Sequence, residues 1–533
     1  MLGGMQDWPL RIPRILDHAA REHGSRELVS LWADHTITRT DWAGIHRDSR
    51  KVAQALERLG IKPGDRVATL AMNHSRHVAA WYSAIGMGGV IHTINPRLFD
   101  DQLVYIANHA EDRVLFYDAA FAPIVERLKP LWSSIEHFIC FDSPGGERGF
   151  EALIAEEDGD YCWVEGDERD PAMLCYTSGT TGHPKGVLYE HRSTVLHAFA
   201  EVGRDVFDLS AQSVVLPVVP MFHAAAWGLP FATAMVGGKL VFSADYAPDV
   251  MCDLMRAEGV THSAGVPTVW LALMNHVDAS GAELGDLSLI HIGGAAAPRS
   301  MIEWFRGRDI RVGHAWGMTE MSPLGTSGAP LAGWNKMTAQ EQLDYSCKQG
   351  RVPFGVELRT VDDEGGVLPR DGQASGRLQA RGPWVIKQYF GDAGGPCVDA
   401  EGWFDTGDVA ILHPSGAMQI TDRSKDVIKS GGEWISSIEL ENAAIGCPGV
   451  AEAAAVGVHH PKWDERPLLL VVRKAGAEVT AEQILDHLIK HVARWWLPDE
   501  VLFVESLPHT ATGKLLKTAL RQQYRDYRLK SAA

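Results

Sequence analysis

The sequence predicts an α/β chain with two parts: a large N-terminal domain of parallel-rich sheets plus a β-rich subdomain, and a small, mobile α+β C-terminal domain. Three observations carry this. From Thr40 to Tyr117 the order helix, turn, apolar strand recurs, and from Gly350 the texture turns to short strands between Gly and Asp turns. Beyond the charge cluster Asp422-Arg423-Ser424-Lys425-Asp426, strands and a helix share a final unit of about 100 residues. At 533 residues the chain is too long for one core, so two or more domains are required.

The first helix is signalled from Thr40 by Trp42, Ile45, Val52, Leu56 and Leu59 at helical spacing, and Gly60 stops it. A turn at Lys62-Pro63-Gly64-Asp65 leads to a strand over residues 67–72. The apolar stretch 78–91 is broken by Ser83, Gly86, Gly88 and Gly89 and falls short of the ~20 residues of a membrane span, so it reads as a buried helix and a strand over 88–94. A further strand is expected at 114–117, and acidic or glycine-rich surface loops at 143–149 and 156–160.

Next, the apolar run Ala172-Met173-Leu174-Cys175 feeds YTSGTTGHPKGV, residues 176–187. Thr177, Ser178, Thr180 and Thr181, three glycines and Lys185 fall in this dozen. Glycine lets backbone N–H groups approach phosphate oxygens, hydroxyls donate further hydrogen bonds, and the lysine supplies charge. The spacing is not that of a Walker A loop: Lys185 precedes Gly186, and no Ser or Thr follows to hold magnesium. A plain Ser/Thr/Gly surface loop is the other reading of these residues.

Residues 214–220 form a buried-strand candidate ending near His223 and Trp227, at a strand end where α/β folds often bind ligands. A lone histidine among apolar residues is also a common core residue. Residues 289–292 make a short strand opening into Gly293, Gly294, Ala295 and Ala296, small enough for a flat ring to lie on the backbone, although a tight turn explains them equally well. A segment at 312–315 leads to Trp316-Gly317-Met318-Thr319-Glu320, where Glu320 is either a magnesium ligand or a solvated surface charge. Strands are expected at 356–361, 376–380 and 384–389, and Trp403-Phe404-Asp405-Thr406-Gly407-Asp408 precedes a hairpin. The final unit offers strands at 453–458, 468–473 and 501–504, a helix at 481–492, and a last loop in which Gly513 precedes Lys514.

Composition excludes several partners. A formal net charge of −18 argues against nucleic acid and anionic membranes, so an anionic substrate must find local positive groups. Seven scattered cysteines, none in a C-x-x-C pair, indicate a reduced, cytoplasmic protein without structural zinc, and the N-terminus carries no signal-peptide pattern.

The ordered motifs TSGTTGHPKG, FHAAAW, GGAAAP, WGMTE, DTGD, DRSKDVIKSGGE and PHTATGK resemble those of the adenylate-forming superfamily of acyl-CoA synthetases, luciferases and adenylation domains. The resemblance implies roles at matching positions. Thr180 and Glu320 would hold Mg2+, with Thr177, Ser178, Thr181 and Lys185 around the β- and γ-phosphates of ATP. Gly294, Ala295, Ala296, Trp316 and Gly317 would bound the adenine, Thr319 would reach the α-phosphate, and Asp408, with Arg423 beside it, would accept the ribose hydroxyls. His223, Trp227, Gly293 and Trp316 would face the acyl group, and Lys514 would be the adenylation lysine. Lys425 would be the hinge between an ATP- and acyl-binding domain, 1–424, and a mobile domain, 425–533. Lys429 to Trp434, Glu433 included, would be presented for the second half-reaction, transfer to CoA. This sequence departs from the commoner pattern at Trp316, at Gly376-Arg377-Leu378, and at Lys387-Gln388-Tyr389. The first bears on adenine stacking and pocket width, the others on structure.

The opening MLGGMQDWPL and the WGMTE motif are similar to bacterial medium-chain acyl-CoA ligases, a group that includes 3-methylmercaptopropionate:CoA ligases. The implied activity is ATP-dependent ligation of a short or medium-chain carboxylate to CoA, with no nucleic-acid partner and a homodimer compatible. The runner-up is a general medium- or long-chain fatty acyl-CoA synthetase; a nucleotide-sensing binding protein without turnover is the alternative from another class.

Overall fold

The structure, a computed structural model, describes residues 3–143, 149–177, 183–391, 395–431, 433–509 and 515–532. Two large sheets organise the N-terminal part. One has eight strands in the order Leu324–Ser327, Arg311–Gly317, Leu289–Ile292, His262–Gly265, Val214–Pro217, Lys239–Ser243, Glu27–Leu31 and Ile37–Asp41. The other has six: His137–Cys140, Asp112–Tyr117, Arg66–Leu70, Val90–Thr93, Pro171–Tyr176 and Gly186–Glu190. Pairing is parallel except at the outer strands Leu324–Ser327, Ile37–Asp41 and Gly186–Glu190. Interior strands with Val, Ile and Leu on both faces are what a parallel sheet covered by helices requires.

The helices Pro13–Glu22, Trp42–Arg58, Ser75–Gly86 and Leu229–Val236 pack on one another within a single core containing Trp42, Trp81, Tyr82 and Phe231. The helix read from Thr40 is capped by Asp41, whose carboxylate accepts the Gly44 N–H at 2.7 Å, an N-cap worth about 1 kcal/mol. Trp42 then reaches across to donate to the Gly238 carbonyl at 3.0 Å.

The expected β-rich subdomain is an antiparallel sheet of Glu357–Val361, Ser375–Arg381, Phe404–Leu412 and Met418–Arg423. A five-stranded sheet follows, ordered Glu433–Ile435, Ile428–Ser430, Asp464–Arg473 and Val450–His460, with Glu500–Phe503 parallel to Asp464–Arg473. Sheet membership therefore changes between Arg423 and Ile428, across a turn in which Asp426 and Val427 both donate to the Arg423 carbonyl.

One expected strand is absent. Residues 384–389 form a turn with an isolated bridge from Gln388 to Pro396, because Gly382-Pro383 breaks the extended chain and Trp384 is drawn inward. Its indole donates to the Leu324 carbonyl at 2.8 Å, and the Ile386 N–H donates to the Glu320 carbonyl at 2.7 Å. The helix expected over 481–492 ends at Leu488, where the bonds of Lys490 and His491 tighten to three-residue turns.

Candidate active site

One cavity of about 410 Å³ opens where the eight-stranded sheet, the six-stranded sheet and the antiparallel subdomain meet. Thr177 and Lys185 close the neck of the glycine-rich loop on its rim: Thr177 N–H donates to the Lys185 carbonyl at 2.9 Å, and Lys185 N–H to Thr177 Oγ1 at 3.2 Å. The pairing follows from the antiparallel register of Tyr176 with Gly186. Ser178, Thr180 and Thr181 lie outside the described residues.

The Lys185 ammonium stands 4.7 Å over the Tyr389 ring, and the Tyr389 hydroxyl donates to Glu320 Oε1 at 2.9 Å. Burial, then the charge of Glu320 and its hydrogen bond, push the Tyr389 hydroxyl well above the usual phenol range, so it remains a donor. Tyr389, read from sequence as structural, is thus part of the cavity wall. Among the described residues no group of three or more His, Cys, Asp and Glu could hold a metal. A buried carboxylate on a wall shared with a lysine still suits magnesium, which takes one or two carboxylates and completes its shell with phosphate and water.

Alternation along Phe404–Leu412 decides which acid of DTGD faces the cavity. Phe404, Thr406 and Asp408 are buried while Asp405 and Gly407 are exposed. Asp408 Oδ2 accepts from the Trp316 indole at 2.8 Å, and Oδ1 lies 3.5 Å from the guanidinium of Arg423, its register partner on the next strand. Trp316 therefore does more than offer a stacking face: it orients Asp408. The indole packs closely on Gly325, where an added Cβ would stand 2.4 Å from the ring.

Gly293, Gly294, Ala295 and Ala296 follow the strand Leu289–Ile292 onto the same wall, with Gly317, Thr319 and Glu320 beside them. The Tyr189 hydroxyl holds the Thr319 carbonyl at 2.7 Å. His223 and Trp227 come from a left-handed turn in which Ala224, Ala225, Ala226 and Trp227 have φ of +44°, +55°, +49° and +55°. Left-handed backbone costs roughly 1–2 kcal/mol per non-glycine residue, a strain that buried packing must offset and that is typical of ligand-facing segments. The turn brings the Trp227 indole edge against Gly293.

Several predicted residues stand elsewhere. Lys425 and Lys429 are exposed, and Lys429 uses its backbone N–H on Glu465 at 2.9 Å. Lys514 and the Glu433 side chain lie outside the described residues. From the small unit, Ile438 reaches the cavity, on a helix whose first turn is held by Asp422: Ser437 N–H and Oγ donate to Asp422 Oδ2 at 2.6 and 2.7 Å. Sequence reasoning missed Arg97, Glu201 and His291, all on the cavity wall. Glu201 had a local signal, a carboxyl four residues after His197 in an otherwise apolar helical stretch; Arg97 had none.

The AMP-binding enzyme model matches residues 16–390, and the AMP-binding enzyme C-terminal domain model matches 439–514. A 3-methylmercaptopropionyl-CoA ligase of Ruegeria lacuscaerulensis is 50% identical, with 99% of each chain covered. A medium-chain-fatty-acid–CoA ligase of Ectopseudomonas oleovorans is 45% identical, covering 100% of this chain and 99% of its own. Among solved structures, an anthranilate CoA ligase with bound anthranoyl-AMP superposes with a TM-score of 0.87 at 24% identity, covering 98% of this chain and 99% of its own, a likeness of fold.

Proposed function

This chain belongs to the AMP-binding enzyme family, and on that premise we propose that its acid is a short or medium-chain carboxylate, with 3-methylmercaptopropionate favoured. The chain is an ATP-dependent acyl-CoA ligase. The observation that carries the choice of acid is the full-length likeness to 3-methylmercaptopropionyl-CoA ligases, at 50% and 48% identity. Trp227 and Trp316 on one cavity wall support it, since sulfur packs well against aromatic edges.

In the first step the carboxylate displaces pyrophosphate from the α-phosphorus of ATP, giving acyl-adenylate; in the second the CoA thiol displaces AMP, giving the thioester. Both partners of the first step are anions, and the nucleophile is already ionised. The work is therefore positioning and charge neutralisation. We assign Lys185 and Thr177 to the phosphates, Thr319 to the α-phosphate, Asp408 and Arg423 to the ribose, and Gly294 to Ala296 with Trp316 and Gly317 to the adenine. His223, Trp227 and Gly293 are assigned to the acyl group. Glu320, with Thr180, would hold magnesium, which neutralises phosphate charge when bound. We place the domain boundary at Lys425, with Lys514, Lys429 and Glu433 on the mobile side. The seven unpaired cysteines suit a reducing cytoplasm.

The deciding experiment is a panel of 3-methylmercaptopropionate, butyrate, hexanoate and palmitate, compared by kcat/KM for CoA ligation. Palmitate as the best acid would transfer the reading to a long-chain synthetase. Within the panel, Trp227→Ala is expected to shift preference toward longer acids by about 1–3 kcal/mol, the scale of a hydrophobic fit. An unchanged acid profile would remove Trp227 from the pocket wall. Trp316→Phe keeps a stacking face but deletes the donor to Asp408, so the KM for ATP should rise about tenfold or more, the worth of a hydrogen bond to a charged group. An ATP dependence equal to that of the wild type would mean that the indole nitrogen does not orient Asp408.

A further inference from the structure

The glycine-rich loop is held from outside its own motif. Tyr105 and His109 stand four residues apart on one face of the helix Asp100–Ala110, and their rings stack with centroids 5.3 Å apart and planes 19° apart. The Tyr105 ring also stacks with that of His183, closer still, at 4.4 Å and 25°. His183 is exposed and lines the cavity beside Thr177 and Lys185. The helix is itself fixed, because Leu103, Ile106, Ala107 and Ala110 are buried in the core that also takes Leu174 and Tyr176. None of the sequence motifs reaches this helix.

His109 reaches the base of the loop by two further contacts. Burial keeps the Tyr176 phenol protonated, and it donates to His109 Nδ1 at 2.6 Å. The Phe390 ring meets His109 edge-on at 5.5 Å and 85°, and the Phe390 N–H donates to the Gly186 carbonyl at 2.8 Å. Packing here is close: a Cβ added at Gly391 would lie 2.9 Å from His109 Nε2, and one at Gly186 would lie 3.0 Å from Phe390 Cβ. One pair of helix residues therefore touches the entry of the loop at Tyr176, its returning arm at His183 and, through Phe390, its exit at Gly186. A glycine-rich segment loses more conformational freedom than most when a ligand orders it, and a scaffold that orders it beforehand lowers that cost.

We propose that Tyr105 is a positioning residue for adenylation: its ring seats His183, and with it the short arm that runs to Lys185, at the phosphate end of the cavity before ATP enters. The proposal rests on the reading of this loop as the phosphate site of an acyl-CoA ligase. Its signature is a division between the two steps. ATP brings β- and γ-phosphates to the loop, whereas acyl-adenylate has already lost them as pyrophosphate, so the stack serves ATP binding and the first step alone.

The test compares the wild type with Tyr105→Ala, Tyr105→Phe, His183→Ala and the double variant Tyr105→Ala/His183→Ala. Three quantities are measured: the KM for ATP in pyrophosphate release, the dissociation constant of a nonhydrolysable ATP analogue with magnesium, and thioester formation from supplied acyl-adenylate and CoA. Thermal unfolding checks folding. Tyr105→Ala and His183→Ala should each weaken both ATP measures by about three- to tenfold, the worth of one aromatic pair, and leave the thioester step within about twofold. Tyr105→Phe keeps the ring and should stay close to the wild type. The double variant should be no weaker than the weaker single variant, since both substitutions remove the same contact. Additive losses in the double variant, unchanged ATP measures in Tyr105→Ala, or equal losses in the two steps would each overturn the positioning role. If Tyr105→Ala does not fold, His183→Phe decides: phenylalanine, which keeps the stack, must retain the ATP affinity that His183→Ala loses, and failure to do so overturns the proposal. Lys185→Ala separates this failure from that of the underlying reading. Wild-type ATP affinity in Lys185→Ala would overturn the phosphate-loop reading and the positioning role with it, whereas a loss there beside an unaffected Tyr105→Ala would overturn the positioning role alone.

Discussion

Replacing Lys514 by alanine is expected to cut pyrophosphate release from ATP and acid by about 10²–10³-fold, the cost of removing one preorganised group that stabilises transition-state charge. The same variant should still convert supplied acyl-adenylate and CoA into thioester at a rate close to that of the wild type. The reasoning is electrostatic. When carboxylate oxygen and α-phosphate approach, two anions must be brought together, and a cation between them lowers the barrier in proportion to how little water screens it. On the cavity wall the described cations are few: Lys185 stands at the neck of the phosphate loop over Tyr389, Arg423 lies beside Asp408, and Arg97 lies 5.8 Å over Phe222. None of the three is assigned to the α-phosphate, so the burden falls on the lysine that the family motif places at 514. In the second step the leaving group is AMP and the nucleophile a thiol, and a cation lodged between them would obstruct the incoming arm. Each half-reaction is assayed alone, with pyrophosphate release for the first and thioester from synthetic acyl-adenylate for the second. Equal loss in both would remove Lys514 from a step-specific role.

How much of this could be read from the sequence depends on whether a feature is local. The parallel sheets were legible because short Val, Ile and Leu runs alternate with helical periodicity, and the helix from Thr40 because its apolar residues and Gly60 mark both face and end. Asp408 was legible from the family motif, and the inward alternation of Phe404, Thr406 and Asp408 gives the physical reason that it, and not Asp405, faces the cavity. Residues 384–389 misled because Trp384, Val385, Ile386 and Tyr389 favour strands, while the decisive term was tertiary: Trp384 and Ile386 bond to Leu324 and Glu320, 60 and 66 residues upstream. Tyr389 was read only as a structural departure from the family pattern and Arg97 belongs to no motif, and only the folded chain carries them to Lys185 and Phe222. His291 is an ordinary strand residue in sequence, and only packing places it on the cavity wall.

Replacing Lys425 by proline should produce the converse of the Lys514 variant: adenylation survives within a few-fold, and thioester formation falls by about 10²-fold, the scale of a misplaced catalytic geometry. Lys425 is exposed, so the substitution disturbs no core. It sits in the turn between Arg423, which ends the antiparallel subdomain, and Ile428, which begins the next sheet. The turn bonds run from Asp426 and Val427 to the Arg423 carbonyl and from Ser424 to the Gly407 carbonyl, so proline at 425 deletes none of their donors. What it removes is freedom, because the ring fixes φ near −65° and pushes Ser424 away from helical backbone. A single orientation cannot serve both steps if Lys514 must enter the site for one and leave it for the other. In this structure the small unit is held against the subdomain by Asp422 on Ser437, while the ion pair of Arg521 with Asp426 lies within the small unit, just past the turn. Lys517 braces the same helix, donating to Ser437 Oγ at 2.5 Å and pairing with Glu441 at 2.7 Å. Leaving this arrangement means breaking the contacts that cross the turn and rotating about it, which is the motion proline at 425 restricts. Thioester formation at the wild-type rate in Lys425→Pro, with adenylation also intact, would place the pivot at another residue. Loss of both steps together would show that the turn supports the first geometry as well, and the alternating-domain mechanism would have to be abandoned for this chain.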